Sequence, residues 1–133
     1  DIAAGQGLIY PLLATDDVHY YDGTDTTCSY IMLACAPDAT DAELLQAIRE
    51  KRFYATQGPE VHLDIVKDEA VARCSPAARI TLFTNRVWGR GHSVRGENLT
   101  EHRAKLDPTE TFIRAEVTDA NGKMAWSNTI RLK

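Results

Sequence analysis

Residues 113–126, Ile113-Arg114-Ala115-Glu116-Val117-Thr118-Asp119-Ala120-Asn121-Gly122-Lys123-Met124-Ala125-Trp126, decide the fold. Ile113, Ala115 and Val117 alternate with Arg114, Glu116 and Thr118, the two-residue period of a strand with one face in a core and one in water. Asp119-Ala120-Asn121-Gly122 follows, and Asn-Gly tolerates the positive φ angles of a type I′ hairpin turn. That turn predicts a return strand with Met124, Trp126, Ile130 and Leu132 on its buried face. Towards the N-terminus the pattern recurs. Ala78, Ile80 and Leu82 alternate with Arg79, Thr81 and Phe83, and Val61, Leu63 and Ile65 alternate with His62 and Asp64. Short half-buried strands joined by turns imply antiparallel sheets packed as a β-sandwich over residues 58–133.

Residues 1–57 read differently. Leu8-Ile9-Tyr10 and Leu12-Leu13-Ala14 form an apolar run that stops at Thr15-Asp16-Asp17, the pattern of a buried strand presenting acidic groups at its end. Residues 20–27 are a polar loop around Gly23, and residues 30–34 a second apolar strand. Thr40-Asp41-Ala42-Glu43 has the form of a capping box, in which hydroxyl and carboxylate satisfy each other's free backbone N–H groups. The helix it opens places Leu44, Leu45 and Ile48 inward and Glu43, Gln46, Arg49 and Glu50 outward. Lys51 and Arg52 suit the negative end of its dipole. Gly58-Pro59 turns the chain into the second half.

A chain of 133 residues holds one domain, or a small domain with a fragment of another. Apolar residues at 44% and charged residues at 26% are globular values and argue against disorder. A net charge of −4 supplies no basic face for nucleic acid. Arg86, Arg90, Arg95 and Arg103 are interrupted by Glu97, Glu101 and Asp107, as on a solvated surface. No apolar run approaches the roughly 20 residues of a membrane span. Cys28, Cys35 and Cys74 are odd in number and irregularly spaced, which fits buried, reduced thiols in a cytoplasmic protein. Asn98-Leu99-Thr100 is a chance match to a glycosylation acceptor. Trp88, near Gly89 and Gly91, reads as a packed aromatic rather than a sugar platform. The start at Asp1 rather than Met suggests a longer parent chain.

The residues that could carry chemistry lie at Thr15-Asp16-Asp17-Val18-His19. An Asp and a His two residues apart, just beyond a strand, can reach one point where the chain leaves regular β geometry, and both are good ligands for zinc, manganese or iron. The same residues also suit a loop whose Asp side chains bond their own backbone.

The stretch LLATDDVHYYDG (12–23), followed by AIREKRFYATQGPEV (47–61), resembles the end of the PHP (polymerase and histidinol phosphatase) domain. CSPAARI (74–80) and FIRAEVTDANGKMAWSNTI (112–130) resemble the C-terminal extension of the family's multidomain bacterial members. The similarity runs from Leu8 to Ile130 in the family's order and spacing. It implies the C-terminal region of a metal-dependent phosphoesterase. The implied fold is α+β and mainly β: a remnant of an α/β barrel with one helix over residues 1–57, then an antiparallel β-sandwich over residues 58–133. In the family the barrel holds a cluster of divalent metals that hydrolyses phosphate esters, and its last ligand motif is Asp-x-His. Asp17 and His19 are therefore the implied ligands, Asp16 a partner behind them, and Arg52 and Tyr54 candidate phosphate contacts. The divalent metal would be zinc, manganese, iron or magnesium.

The sequence also departs from the family. Its histidines are His19, His62, His92 and His102, with no His-x-His pair, so most of the metal cage is absent. His62, His92 and His102 read as surface residues. A catalytic site needs about three protein ligands and an open position, so the isolated chain is expected to hold no metal tightly and to be inactive. Its expected partners are the remaining PHP barrel of the same polypeptide and a phosphate-ester substrate, with no nucleic acid and no membrane. The alternative is a β-sandwich binding or interaction module without chemistry. Exposed strand edges would also allow a homo-oligomer.

Overall fold

The computed structural model describes residues 1–20, 22–87, 89 and 91–133. In chain order these form α1 (Ile2–Gly5), β1 (Tyr30–Leu33), α2 (Asp41–Arg49), β2 (Phe53–Thr56), β3 (Val61–Val66), β4 (Glu69–Thr84), β5 (Ser93–Lys105), β6 (Phe112–Thr118), β7 (Met124–Ser127) and β8 (Ile130–Arg131). The protein is mainly β. The eight strands make one open antiparallel sheet in the order β1-β2-β7-β6-β4-β3, with β5 also beside β4 and β8 beside β6.

The long strand β4 explains why hydrogen bonding joins one sheet instead of two separate ones. Its first half pairs with β3, from Val61↔Cys74 to Val66↔Glu69. Its second half pairs with β6, from Arg79↔Thr118 to Thr84↔Ile113. Strand β5 pairs with both halves, and the register shifts between Arg73 and Arg79. Pro76 lies in that stretch and has no N–H to give the ladder, and an irregular register lets a strand bend. The bend sets β3 against β6 and β7. Val61, Ala70, Ala72, Ile80, Leu82, Ile113, Ala115, Val117 and Ala125 gather there as the core. Each large aliphatic among them contributes about 1.5–3 kcal/mol by leaving water, and the many alanines let the layers approach closely.

The alternations at 61–65, 80–82 and 113–117 therefore mark the core face. The return strand β7 does not follow its expectation. Gly122 takes φ 81° and Asn121 does not adopt a positive φ. The Gly122 N–H donates to Asp119 O (3.2 Å) and the Asp119 N–H to Lys123 O (2.9 Å), closing a three-residue loop with a left-handed glycine instead of a type I′ turn. A one-residue change of register exchanges the faces of a strand. Val117 thus faces Ala125, and Ala125 and Ser127 are buried, while Met124 and Trp126 lie half-exposed on the outer face. There the Trp126 indole N–H donates to Glu116 (3.1 Å).

Residues 8–14 are not a buried strand. They run without sheet pairing, and Leu8, Tyr10 and Leu13 are 52%, 66% and 57% exposed. Lys51 Nζ donates to Ile9 O (3.1 Å), the Leu12 N–H donates to Asn128 Oδ1 (2.9 Å), and Arg131 donates to Gly7 O, so the segment is strapped along the surface by polar contacts. The capping box of α2 is present: the Glu43 N–H donates to Thr40 Oγ1 (3.4 Å) and the Thr40 N–H to the Glu43 carboxylate (2.7 Å). Ala47 is its buried residue, and Leu45, expected inward, is exposed because α2 rests on the sheet by a narrow stripe. Among the described residues no helix is long and apolar enough to cross a membrane.

Candidate functional site

The loop after residue 14 is built by aspartates that bond nearby backbone. Asp16 accepts from the N–H groups of Thr27 (2.6 Å) and Ser29 (2.7 Å). Asp25 accepts from the N–H groups of His19 (2.6 Å) and Tyr20 (3.1 Å), and Asp22 from the N–H (3.0 Å) and hydroxyl (2.7 Å) of Thr24. For Asp16 and Asp22 these bonds favour the charged carboxylate. The Ser29 amide, with those of Thr27 and Cys28, holds the Asp16 carboxyl below the ordinary aspartate range. The bonds from Thr24 do the same for Asp22.

This scaffold presents Asp17 and His19 outward. Asp17 sits in the left-handed region at φ 55°, which aspartate tolerates better than most residues. Both residues are exposed. Among the described residues, no three His, Cys, Asp or Glu side chains come together as a metal cage. Two exposed donors fall short of the three or more that fix a catalytic ion. The residues present in this chain therefore do not by themselves fit the metal centre that the PHP resemblance implies. Asp16, with both oxygens engaged by the loop's own amides, braces the turn that displays the other two.

Arg52 and Tyr54 belong to a different place. Arg52 Nε donates to Glu50 (2.7 Å) and Nη1 to Ala34 O (2.6 Å), so its guanidinium ties the exit of α2 to the end of β1. Tyr54 lies edge-on to His62, with ring centroids 5.4 Å apart. Its phenol is pushed up by burial, then by Glu60 and Tyr30. Both residues line a groove of about 510 Å³ between β1–β2 and β3, with Met32, His62, Asp64 and Asn128 among the other walls. Asp17 and His19 take no part in lining it.

One polar centre escaped the sequence reading. His92, expected on the surface, is buried, with Nε2 3.2 Å from Oε1 of the fully buried Glu110. Glu110 also accepts from the Asp107 N–H (2.9 Å) and the Thr84 hydroxyl (3.2 Å). A Cβ on Gly89 would run into the His92 ring, so the loop packs closely over it. The available signal was Asp107-Pro-Thr-Glu110, the spacing of a capping box used here without a helix. His102 meets Gly91 O (2.7 Å), and His62 is exposed on β3.

Other candidates resolve into surface structure. Arg86 pairs with Asp107, and Arg103 with Glu101 (2.7 Å) and Glu69 (3.6 Å), exposed pairs of the kind that add little stability. Trp88 and Arg90 lie outside the described residues. The three cysteines are free thiols. Contrary to expectation Cys28 and Cys35 are exposed, and only Cys74 is half-buried, its thiol pushed up by burial. A scan of the chain against protein-family models finds no match, and neither curated proteins nor solved structures provide one.

Proposed function

We propose that this chain is the C-terminal region of a PHP-type metal-dependent phosphoesterase, contributing one corner of the metal site and a β-sandwich extension, and that it has no hydrolytic activity alone. One observation carries the reading. The Asp17-Val18-His19 motif stands fully displayed on a braced loop, next to a segment whose Leu8, Tyr10, Leu13 and Val18 side chains are left exposed. Apolar side chains left uncovered along one stretch of chain are what a partner surface would cover. In the proposed parent, the rest of the barrel covers that row and brings the missing ligands to Asp17 and His19.

The metal cluster would polarise the phosphoryl oxygens and supply an activated water in the parent. Within this chain, Asp17 and His19 would hold part of one ion and Asp16 would keep their loop in shape. Its three free thiols are compatible with a reducing, cytoplasmic setting.

The test is p-nitrophenyl phosphate hydrolysis with manganese or zinc, alongside calorimetric metal titration. The expected result is no turnover and only weak metal uptake, reduced by Asp17→Ala and by His19→Ala. Robust turnover by this chain, lost on Asp17→Ala, would overturn the proposal. So would metal uptake unaffected by either substitution.

A further inference from the structure

The core face of the sheet can be followed across the strands, because directly opposed residues of antiparallel neighbours point to the same side. Tyr30, Thr56, Ala125, Val117 and Ile80 form one such row from β1 to β4. Thr56, Ala125, Val117 and Ile80 are buried, but Tyr30 is 39% exposed, and Met32 in the next row is 46% exposed. The cover over this face therefore ends between β2 and β1. Strand β3 supplies that cover over β6 and β7, and its edge reaches Tyr54 through the contact with His62. Among the described residues β3 pairs with β4 alone, so the backbone groups along its other edge have no strand partner there. The groove of about 510 Å³ is the space this leaves: an open strand edge on one side and the uncovered Met32–Tyr54 face as its floor.

We propose that this groove binds one extended peptide segment as an added strand beside β3, with apolar residues facing Met32 and Tyr54 and basic residues facing outward. Main-chain bonds to β3 would give affinity, and the alternate side chains on the floor would give selectivity. The preference for a basic segment follows from the rim. Glu60 makes no ion pair among the described residues and Asp64 is only partly offset by the exposed Arg73 (3.2 Å), and both stand on the β3 side, where the outward residues of an added strand would lie; the cations Lys51 and Arg52 line the opposite wall, and Arg52 is paired with Glu50 (2.7 Å). A second folded copy does not fit. Two β3 edges paired about a twofold axis would place the partner's β6 and β7 where β1 and β2 already lie. The inference does not rest on the phosphoesterase reading.

The probe is an acetylated octapeptide alternating Val with Lys and Thr, compared with one carrying Glu for Lys and one with a central Pro. Binding is read from backbone amide shifts of the full chain. The expected result is saturable shifts confined to residues 61–66, Met32 and Tyr54. The Glu peptide should bind at least about tenfold more weakly, and the Pro peptide, which lacks a needed N–H, should not bind. Glu60→Lys, a surface change, should reverse the Lys/Glu preference without altering the fold. Three results would overturn the proposal: no shifts with the Lys peptide, equal binding of the Pro peptide, or sedimentation showing a dimer that protects the β3 amides without peptide.

Discussion

Removing the Glu110 carboxyl is the sharpest test of how His92 and Asp107 are held together. Two donors converge on that group, the Asp107 N–H and the Thr84 hydroxyl, and His92 Nε2 lies 3.2 Å from it. Glu110 is only 1% exposed, so water cannot replace it without opening the site. A buried donor left without an acceptor costs about 1–3 kcal/mol. The Thr84 hydroxyl already accepts from the Arg86 N–H (3.1 Å) and can rotate, so its share is small. Glu110→Ala, which strands the Asp107 N–H and removes the group beside His92, is therefore expected to cost about 2–3 kcal/mol. For 133 residues that lowers Tm by about 6–12 °C. Glu110→Gln keeps the shape and one acceptor oxygen and should cost about 1–2 kcal/mol. Urea unfolding followed by circular dichroism gives both values from the midpoint at constant m. A cost below about 1 kcal/mol for Glu110→Ala, with m unchanged, would refute the reading of Glu110 as a buried acceptor that stabilises the fold.

Thr40→Ala removes the hydroxyl half of the capping box and should cost about 1 kcal/mol, measurable by the same urea titration, with Thr40→Ser close to neutral. The Asp16 carboxyl should titrate below the ordinary aspartate value, followed through the Thr27 and Ser29 amide shifts. Because its folded pKa is lowered, the order it gives the loop is complete above the unfolded value, near pH 4, and is lost as the pH falls through the folded value. Asp16→Asn should abolish that titration while leaving the sheet intact by amide exchange.

What could be read from the residues followed burial. Val61, Leu63 and Ile65, and Ile113, Ala115 and Val117, alternate because only one side of their strands meets the core, and Thr40–Glu43 announced its helix through local hydrogen-bonding chemistry. Strand β5 left no such trace. It is exposed on both faces over most of Ser93–Lys105, so charged and polar residues occupy both and the period vanishes. The faces of β7 were exchanged because Asn121-Gly122 suits two turns that differ by one residue in length, and only the pairing of Val117 with Ala125 selects between them. Leu8–Ala14 misled for a different reason: apolar composition marks a need for cover, without telling which chain supplies it. At the candidate site, the aspartate-rich loop was legible from its turn chemistry. The groove at Tyr54 was not, because it depends on where β3 stops relative to β1.

The place of β4 bears on the order in which the polypeptide comes together. Strands β3 and β4 are joined by Lys67 and Asp68 alone, so their ladder closes at small entropic expense. Strand β2 instead waits for β7, with Thr56 meeting Ala125 across more than half the sequence. The segment up to and including β2, residues 1–56, is thus the last to dock, and its amides should be the first to exchange under native conditions.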